Sequence, residues 1–437
     1  MRWNSNHIHK NWRFEKLYTK WKKRLVLLFL FILFVPNIFV SASTHHSRGS
    51  DFRGFLTAGD RFIDGRFLYE DSRVATNVTW PPFFAMFIAP FSLLAHLNLP
   101  LTQVFWYLIN ALLFLLTIDI WCQLFYEKHL NWFEEDKPHS FYSLSIFIPL
   151  VLIAQSIFKV FVPLQMNILV LFLMSLSFLH LKEEKYLLSG FWLGLISAIK
   201  VFPVLVLPYF IYRKKFKAFF ACIVTGLVLT LIPVFRYGLE AYIHNLQAWI
   251  QISLLGGYPL GGLNQSIYAM IGRWVASDPF TLITQKLPTP AIGSEESLLA
   301  LWLYRGLYVA TLSAFFYWLH KRKYKFLAVE ADFMIIVAML FSPIAWRNYW
   351  VIIFPGYFVL YNLYLKEKIK DKVLFYSIWI SFFLVTVLQV VGQTGKVLRG
   401  FFMTVLSNQT MGALILLFAL FYSVYKNFEI KEKQLKQ

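Results

Sequence analysis

The residue best placed for acid–base chemistry is Asp51, which follows the first long apolar run of the chain. It opens a segment in which Phe52, Phe55 and Phe62 recur at helical spacing. A carboxylate at the start of such a helix, just above a membrane, can act as a general base on an acceptor hydroxyl. It can equally be an N-cap that balances the helix dipole. Residue type and spacing leave both roles open.

The segment that Asp51 opens is predicted to be a short surface helix. A helix of about 14 residues is about 21 Å long, which is too short to cross a hydrocarbon core of about 30 Å. Gly65 suits its C-terminal end, because glycine readily adopts the left-handed conformation found there. We therefore expect the helix to lie in the membrane interface, with Asp51 near the level of lipid phosphate groups.

Two cations lie where the apolar pattern places the membrane. Lys200 is inside the apolar stretch 187–212 and is soon followed by Pro203, which breaks a helix. A charge at membrane depth is costly unless it snorkels or finds a partner, so Lys200 is either a snorkelling lysine or a ligand for an anion such as phosphate. Arg347 lies in the turn between two further apolar runs, and its forked guanidinium suits phosphate oxygens. The alternative is an interfacial anchor formed with Trp346.

These side chains must be positioned by membrane helices, because the composition excludes a soluble globular protein. Of 437 residues, 58% are hydrophobic and 15% are charged, against roughly 25% charged in soluble chains. Runs of about 20 apolar residues can cross a bilayer. Such runs lie near 25–42, 101–126, 141–158, 163–181, 216–235, 298–319, 331–346, 349–365, 373–391 and 408–425.

The stretch 187–212 is predicted to be a broken pair of half-length segments that meet at Ile199–Pro203. Basic residues flank the stretch at both ends, and only a chain that turns back puts both flanks on one side. Residues 81–94 are interrupted by Pro90 and predict a re-entrant or interfacial helix pair. The fold class is therefore an all-α polytopic membrane helix bundle with about 10–12 transmembrane segments.

Clusters of lysine and arginine in short loops predict the orientation, with both termini cytoplasmic. The formal charge of +19 lies in these clusters, so it is a topology signal and not a nucleic-acid-binding surface. Val40-Ser41-Ala42 resembles a signal-peptidase site, but the long basic lead favours an uncleaved first span. The predicted parts are a basic cytoplasmic N-terminus 1–24, one membrane-embedded domain 25–426 with external loops about 43–100 and 236–297, and a cytoplasmic tail 427–437.

Several kinds of chemistry have no support in the sequence. There is no P-loop, no H-E-x-x-H, no G-x-S-x-G and no D-x-D pair. Cys122 and Cys222 lie inside apolar runs, where a disulfide or a zinc site is not expected. We expect no metal and no cofactor, and an enzyme acting on the outer face would need a substrate energised on a lipid.

A series of short motifs runs in order along most of the chain. They are Asp51, Gly65 with Tyr69, Trp80-Pro81-Pro82, Gln165-Met166-Asn167, Gly190 with Gly194, Ala198–Pro203, Asn264-Gln265-Ser266 and Ser342–Trp346. In order and spacing they resemble glycosyltransferase family 87, the polyprenyl-phosphate-mannose-dependent mannosyltransferase-like proteins of the membrane-embedded C type.

The resemblance implies a multi-pass enzyme of the plasma or inner membrane. It would transfer a hexosyl group, usually mannosyl, from a polyprenyl-phosphate-sugar donor to a lipid or glycan acceptor on the external face, by inverting single displacement. Asp51 would be the catalytic base, while Lys200 and Arg347 would bind the donor phosphate. The further site candidates are Tyr69, Gln165, Asn167, Asn264, Gln265 and Asn348.

The chain departs from the family pattern at one place. Relatives often carry histidine after the Ser-Pro-x-x-Trp segment, whereas this chain has Asn348 and Tyr349, which leaves the role of that histidine and the identity of the sugar open. The rival hypothesis is a transporter or flippase of a polyprenyl-linked or amphipathic solute, because the interruptions at Lys200–Pro203 and Pro343 are typical of transporter sites. The scarcity of acids inside the spans leaves little to couple ions.

Overall fold

The computed structural model describes most of the chain, and its described residues form an all-α bundle. The described ranges are 23–28, 31, 35, 50–69, 80–132, 137–255, 260–275, 295–366 and 371–426. Within them there is no β-strand, only two isolated bridges. The predicted tail and most of the predicted basic N-terminus and first span lie outside the described residues.

The helices are numbered in chain order. The first nine are α1 Ser50–Ile63, α2 Pro82–Tyr126, α3 Leu144–Leu152, α4 Ala154–Phe161, α5 Asn167–Lys182, α6 Tyr186–Ile199, α7 Leu207–Tyr212, α8 Phe216–Leu231 and α9 Val234–Tyr237. The others are α10 Leu239–Ile250, α11 Ile267–Val275, α12 Glu295–Arg322, α13 Leu327–Leu340, α14 Phe354–Lys366, α15 Lys372–Phe382, α16 Leu388–Val391, α17 Lys396–Gly400 and α18 Asn408–Lys426. Short 3₁₀ segments, Phe202–Val206 and Arg347–Ile353, precede α7 and α14.

Several of these helices have the length and composition of membrane spans. Five helical stretches in the described ranges qualify, and α3 with α4, bent by 61°, makes a sixth if the pair is one span. The stretches 167–182, 186–199 and 202–212 are shorter apolar helices. The predicted polytopic membrane helix bundle is confirmed by this architecture.

The short helix predicted after the first apolar run is α1, of 14 residues. Its apolar face is buried: Phe52 and Phe55 are fully covered, and Phe55 meets Trp80 edge-on at 4.8 Å between ring centroids. Gly65 has φ +69°, the left-handed conformation that we expected to end the helix. The helix is therefore held against α2, which places Asp51 at a defined point of the bundle.

Residues 82–126 of α2 are two helical stretches that meet at a kink at Asn98, whose backbone is non-helical. A separate segment before the span at 101–126 is therefore present, as predicted, but it is one helix that continues through Pro90 and not a pair. The Asn98 side chain accepts a 3.0 Å hydrogen bond from the backbone N–H of Leu101, as an N-cap does. Asn98 therefore begins the second stretch, and Pro100 lies in its first turn, where the missing backbone N–H costs no helical hydrogen bond.

The predicted break at Lys200 is present, and the chain turns back after it. Lys200 has an extended backbone between α6 and the 3₁₀ segment Phe202–Val206. Gly190 of α6 faces Ala218 of α8, and Gly194, one turn further on, faces Cys222 and Thr225. Helices α6 and α8 therefore run parallel, which requires the segment between them to return to the side where both begin.

Helix α13 forms the centre of the bundle. Every residue from Ala328 to Leu340 is buried. Glu330 accepts hydrogen bonds from Tyr209 at 2.7 Å and from Nε of Arg213 at 2.8 Å, so this buried carboxylate is paired. Helix α13 packs against the two 3₁₀ segments, 202–206 and 347–353, which adjoin the polar cluster described below.

Candidate active site

Asp51 lies in the first turn of α1 and is half-buried. The Nε2 amide of Gln165 donates a hydrogen bond to its Oδ2 oxygen. Among the described residues no hydrogen bond reaches Oδ1, so this oxygen can accept one from another molecule. Asp51 is thus held by a neutral side chain from a distant part of the chain and keeps a second oxygen for a substrate.

Lys200 lies beside this carboxylate in a chain of hydrogen bonds. Its ammonium donates to Oδ1 of Asn167 at 2.6 Å, and Nδ2 of Asn167 donates to Oδ1 of Asn348 at 3.1 Å. The ammonium also lies 3.7 Å from the ring centroid of Tyr349, a cation–π contact. The charges of Lys200 and Asp51 are close enough to attract each other. Lys200 is buried within the protein, which differs from the arrangement expected of a snorkelling lysine.

These residues come from four separate parts of the fold. Asp51 is on α1, Gln165 and Asn167 are at the start of α5, Lys200 is at the break after α6, and Asn348 is in the 3₁₀ segment 347–353. Helix α5 packs on that 3₁₀ segment. The structure therefore brings together five of the predicted site residues, along with Tyr349, at one polar cluster inside the bundle.

Arg347 stands next to this cluster with a different set of neighbours. It is half-buried and has no hydrogen bond or ion pair with any described residue. Its positive charge is repelled by that of Lys159 on α4 and that of Arg399 on α17. Sequence reasoning missed both residues, although Lys159, a cation between the apolar runs 141–158 and 163–181, carries a signal similar to the one that drew attention to Lys200.

Tyr69 supports α1 indirectly, through its contact with Trp80. Its phenol donates a 2.8 Å hydrogen bond to the backbone oxygen of Trp80, and burial raises the pKa of the phenol, which stays a neutral donor. Trp80 in turn lies against Gly54 and Phe55, one helical turn from Asp51. The structure thus places Tyr69 in the packing that holds the helix of Asp51.

Asn264 and Gln265 hold the backbone that leads into Arg347 and Asn348. The Asn264 side chain donates to the oxygen of Pro343 at 3.1 Å and accepts from the N–H of Ala345 at 2.9 Å. The N–H of Gln265 donates to the oxygen of Ala345 at 2.8 Å. Both side chains are buried and have no described contact with Asp51. The geometry gives them the role of positioning the turn.

A further residue of this kind, Arg273 on α11, was not found by sequence reasoning. It is fully buried and donates to the backbone oxygens of Leu260 and Asn264, at 2.8 and 2.9 Å, and to Oγ of Ser407 at 2.8 Å. Neutral oxygens accept hydrogen bonds from both terminal nitrogens of this guanidinium, which ties the loop 260–264 to the region before α18. Nothing in its local sequence distinguishes it from a surface arginine.

The cluster combines a carboxylate with a free oxygen, a buried ammonium and several amides. A carboxylate so placed can take a proton from a hydroxyl, and fixed cations can stabilise an anion that forms during reaction. In the described ranges no group of three or more histidine, cysteine or acidic residues could hold a metal ion. The donor set is therefore suited to proton transfer and anion binding.

Comparison with known proteins identifies the family to which the chain belongs. Neither the search of curated proteins nor the search of solved structures returns a match. The model of glycosyltransferase family 87 matches residues 79–343, more than half of the chain. This range contains Gln165, Asn167 and Lys200, while Asp51 and Arg347 lie outside it. The chain therefore belongs to glycosyltransferase family 87 and is a multi-pass membrane glycosyltransferase.

Proposed function

We propose that this enzyme transfers a hexosyl group from a polyprenyl-phosphate donor to a lipid or glycan acceptor, with mannosyl as the first candidate for that group. The reaction takes place at the external face of the plasma or inner membrane. The observation that carries the proposal is the position of Asp51, whose carboxylate is fixed by Gln165, faces Lys200 and keeps one oxygen free.

The proposed reaction is an inverting single displacement. Oδ1 of Asp51 takes the proton of the acceptor hydroxyl while the hydroxyl oxygen attacks the anomeric carbon. The bond from that carbon to the phosphate oxygen breaks, and its electron pair remains on the lipid phosphate. The phosphate thereby gains negative charge, so cations nearby stabilise the transition state more than the bound donor.

Lys200 and Arg347 are the cations proposed to bind this phosphate. Asn348 connects them, because it is hydrogen-bonded through Asn167 to Lys200 and is the next residue in the chain after Arg347. One N–H of the Lys200 ammonium is used by Asn167, and the others remain for a ligand. A phosphate beside Asn348 would therefore lie between two positive charges.

The test measures transfer of radiolabelled hexose from polyprenyl-phosphate donors by the purified enzyme, with Asp51→Asn compared with Asp64→Asn. The two aspartates are on or next to the same helix, but Asp64 is exposed and pairs with Arg66. Asp51→Asn should lose at least about a hundredfold in rate, the usual contribution of a general base, while Asp64→Asn should keep its activity.

Two other results would change the assignment. Equal activity of the two variants would remove Asp51 as the base. Failure of the wild-type enzyme to use any such donor, together with counterflow of a polyprenyl-linked solute in proteoliposomes, would favour a transporter, which the interrupted helix at Lys200 also fits.

A further inference from the structure

Three positive charges lie close together beside the polar cluster, and no acid in the described part of the chain pairs with them. Helix α4, which carries Lys159, packs directly on the 3₁₀ segment that Arg347 opens. Arg399 lies on α17, which leads directly into residues 401–405, and Gln265 links that segment to the chain before Arg347. The Gln265 side chain donates to the oxygen of Met403 at 2.6 Å, and its backbone N–H donates to the oxygen of Ala345 at 2.8 Å. The charges of Lys159 and Arg347 repel each other, as do those of Arg347 and Arg399. Among the described residues none of the three has an ion-pair or hydrogen-bond partner.

Such a grouping is unfavourable unless an anion occupies it. Lys159 and Arg347 are half-buried, so water screens their repulsion less than it would on an open surface. Folding places them together although nothing in the described protein compensates their charge. Arg399 is exposed, which leaves the group open to a ligand from one side.

We propose that Lys159 and Arg399 join Arg347 in one anion site, which binds the phosphate group of the lipid donor. The inference rests on the proposed function, and it adds two phosphate-binding residues to that reaction. The site adjoins the polar cluster, since Arg347 precedes Asn348 in the chain and Asn348 contacts Asn167.

The chemistry of the leaving group explains why several cations are needed. The donor is a phosphodiester with one negative charge, and the departing lipid phosphate takes the electron pair of the broken carbon–oxygen bond and tends toward two. The proton lost by the acceptor hydroxyl goes to Asp51, so it does not neutralise that charge. Fixed cations are therefore most favourable in the transition state and in the product complex.

The experiment compares Lys159→Gln, Arg399→Gln and the double variant with Arg305→Gln. Arg305 is the matched control, because it is an exposed arginine on α12 that stacks on Trp302 and lies outside the group. We measure the KM for the donor, and we measure binding of radiolabelled polyprenyl phosphate separately, in the absence of any transfer.

Each single variant should weaken polyprenyl phosphate binding about tenfold and raise the donor KM by a similar factor, as expected for one lost charge-assisted contact. The KM for the acceptor should not change. Lys159→Arg and Arg399→Lys should keep most of the affinity, and polyprenol, which lacks phosphate, should bind all variants alike. Arg399 is exposed, so its variants report on the site without disturbing the core.

The kinetic and binding measurements together distinguish a failure of this inference from a failure of the proposed function. Unchanged donor KM and unchanged binding in the double variant of an active enzyme would overturn the site. Competition by phosphatidylglycerol as strong as that of polyprenyl phosphate would also overturn it, since the group would then be a general headgroup surface. Charge-dependent binding of polyprenyl phosphate by an enzyme that transfers no hexose would support the site and contradict the proposed function.

Discussion

Lys200 pairs with an amide, which is an unusual arrangement for a cation enclosed by a membrane protein. Its shortest contact is the 2.6 Å hydrogen bond to Asn167, and its charge faces Asp51 without a direct ion pair. A directly paired lysine would have its charge neutralised and the carboxylate oxygen occupied. The arrangement therefore leaves both the ammonium and the carboxylate partly available to a substrate.

This arrangement gives a prediction for Lys200→Met. The substitution removes the charge but keeps a long side chain that can pack against Tyr349. Use of the donor, measured as kcat/KM, should fall at least about tenfold, because a charge-assisted contact is lost. Lys217→Met is the control, since Lys217 is exposed on α8. Equal kinetics in both variants would show that Lys200 serves packing alone.

The identity of some site residues could be predicted from the sequence, but the contacts between them could not. Lys200 is visible in the sequence because it is an ionisable group within an apolar stretch, and Asp51 because it opens the short helix that follows the first apolar run. Their connection through Gln165 and Asn167 is not visible, since it depends on how α5 meets α1 and the segment after α6. The grouping of charges around Arg347 depends in the same way on contacts between distant elements.

Helices α6 and α8 approach each other closely because glycine faces the contact. A Cβ atom at Gly190 would lie 2.2 Å from the backbone oxygen of Ala218, and one at Gly194 would lie 2.6 Å from that of Cys222. Small residues spaced by four positions permit such contact between membrane helices. Since α6 ends at Lys200, this contact also sets the position of the ammonium.

Gly190→Ala should therefore separate the two helices and lower both stability and activity. The loss should reach at least about 1–3 kcal/mol, the usual cost of overpacking, measured as a lower thermal unfolding midpoint of the detergent-solubilised protein. Gly226→Ala is the matched control, because a Cβ atom there meets only the Gly194 oxygen, at 3.9 Å. The same unfolding midpoint for Gly190→Ala and Gly226→Ala would contradict the close contact.

Some element boundaries could be predicted from local signals in the sequence, and others could not. The start and end of α1 follow from its apolar spacing and from Gly65, both of which are local signals. The first stretch of α2 continues through Pro90, where the sequence predicted an interruption, and the chain instead kinks at Asn98, which caps the stretch that follows. The periodicity of apolar residues indicates which residues are buried, but it does not show where a side chain can cap a new helix and so permit a kink.

The orientation of the bundle remains a prediction from the lysine and arginine clusters, and the fold makes it testable. Lys185 precedes α6 and Lys217 lies at the start of α8, and these parallel helices begin side by side, where Lys215 donates a 2.7 Å hydrogen bond to the Tyr186 hydroxyl. Both lysines are exposed and should face the cytoplasm. Arg66 is exposed too and should face outward.

Cysteine labelling of intact cells tests this arrangement directly. The native Cys122 and Cys222 are buried, so a membrane-impermeant maleimide should leave them unmodified. Arg66→Cys should react in intact cells, and Lys185→Cys and Lys217→Cys only after permeabilisation. The reverse pattern would put Asp51 on the cytoplasmic side and exclude the external reaction. Labelling of positions 185 and 217 from opposite faces would instead contradict the turn of the chain at Lys200, and with it the placement of the ammonium beside Asp51.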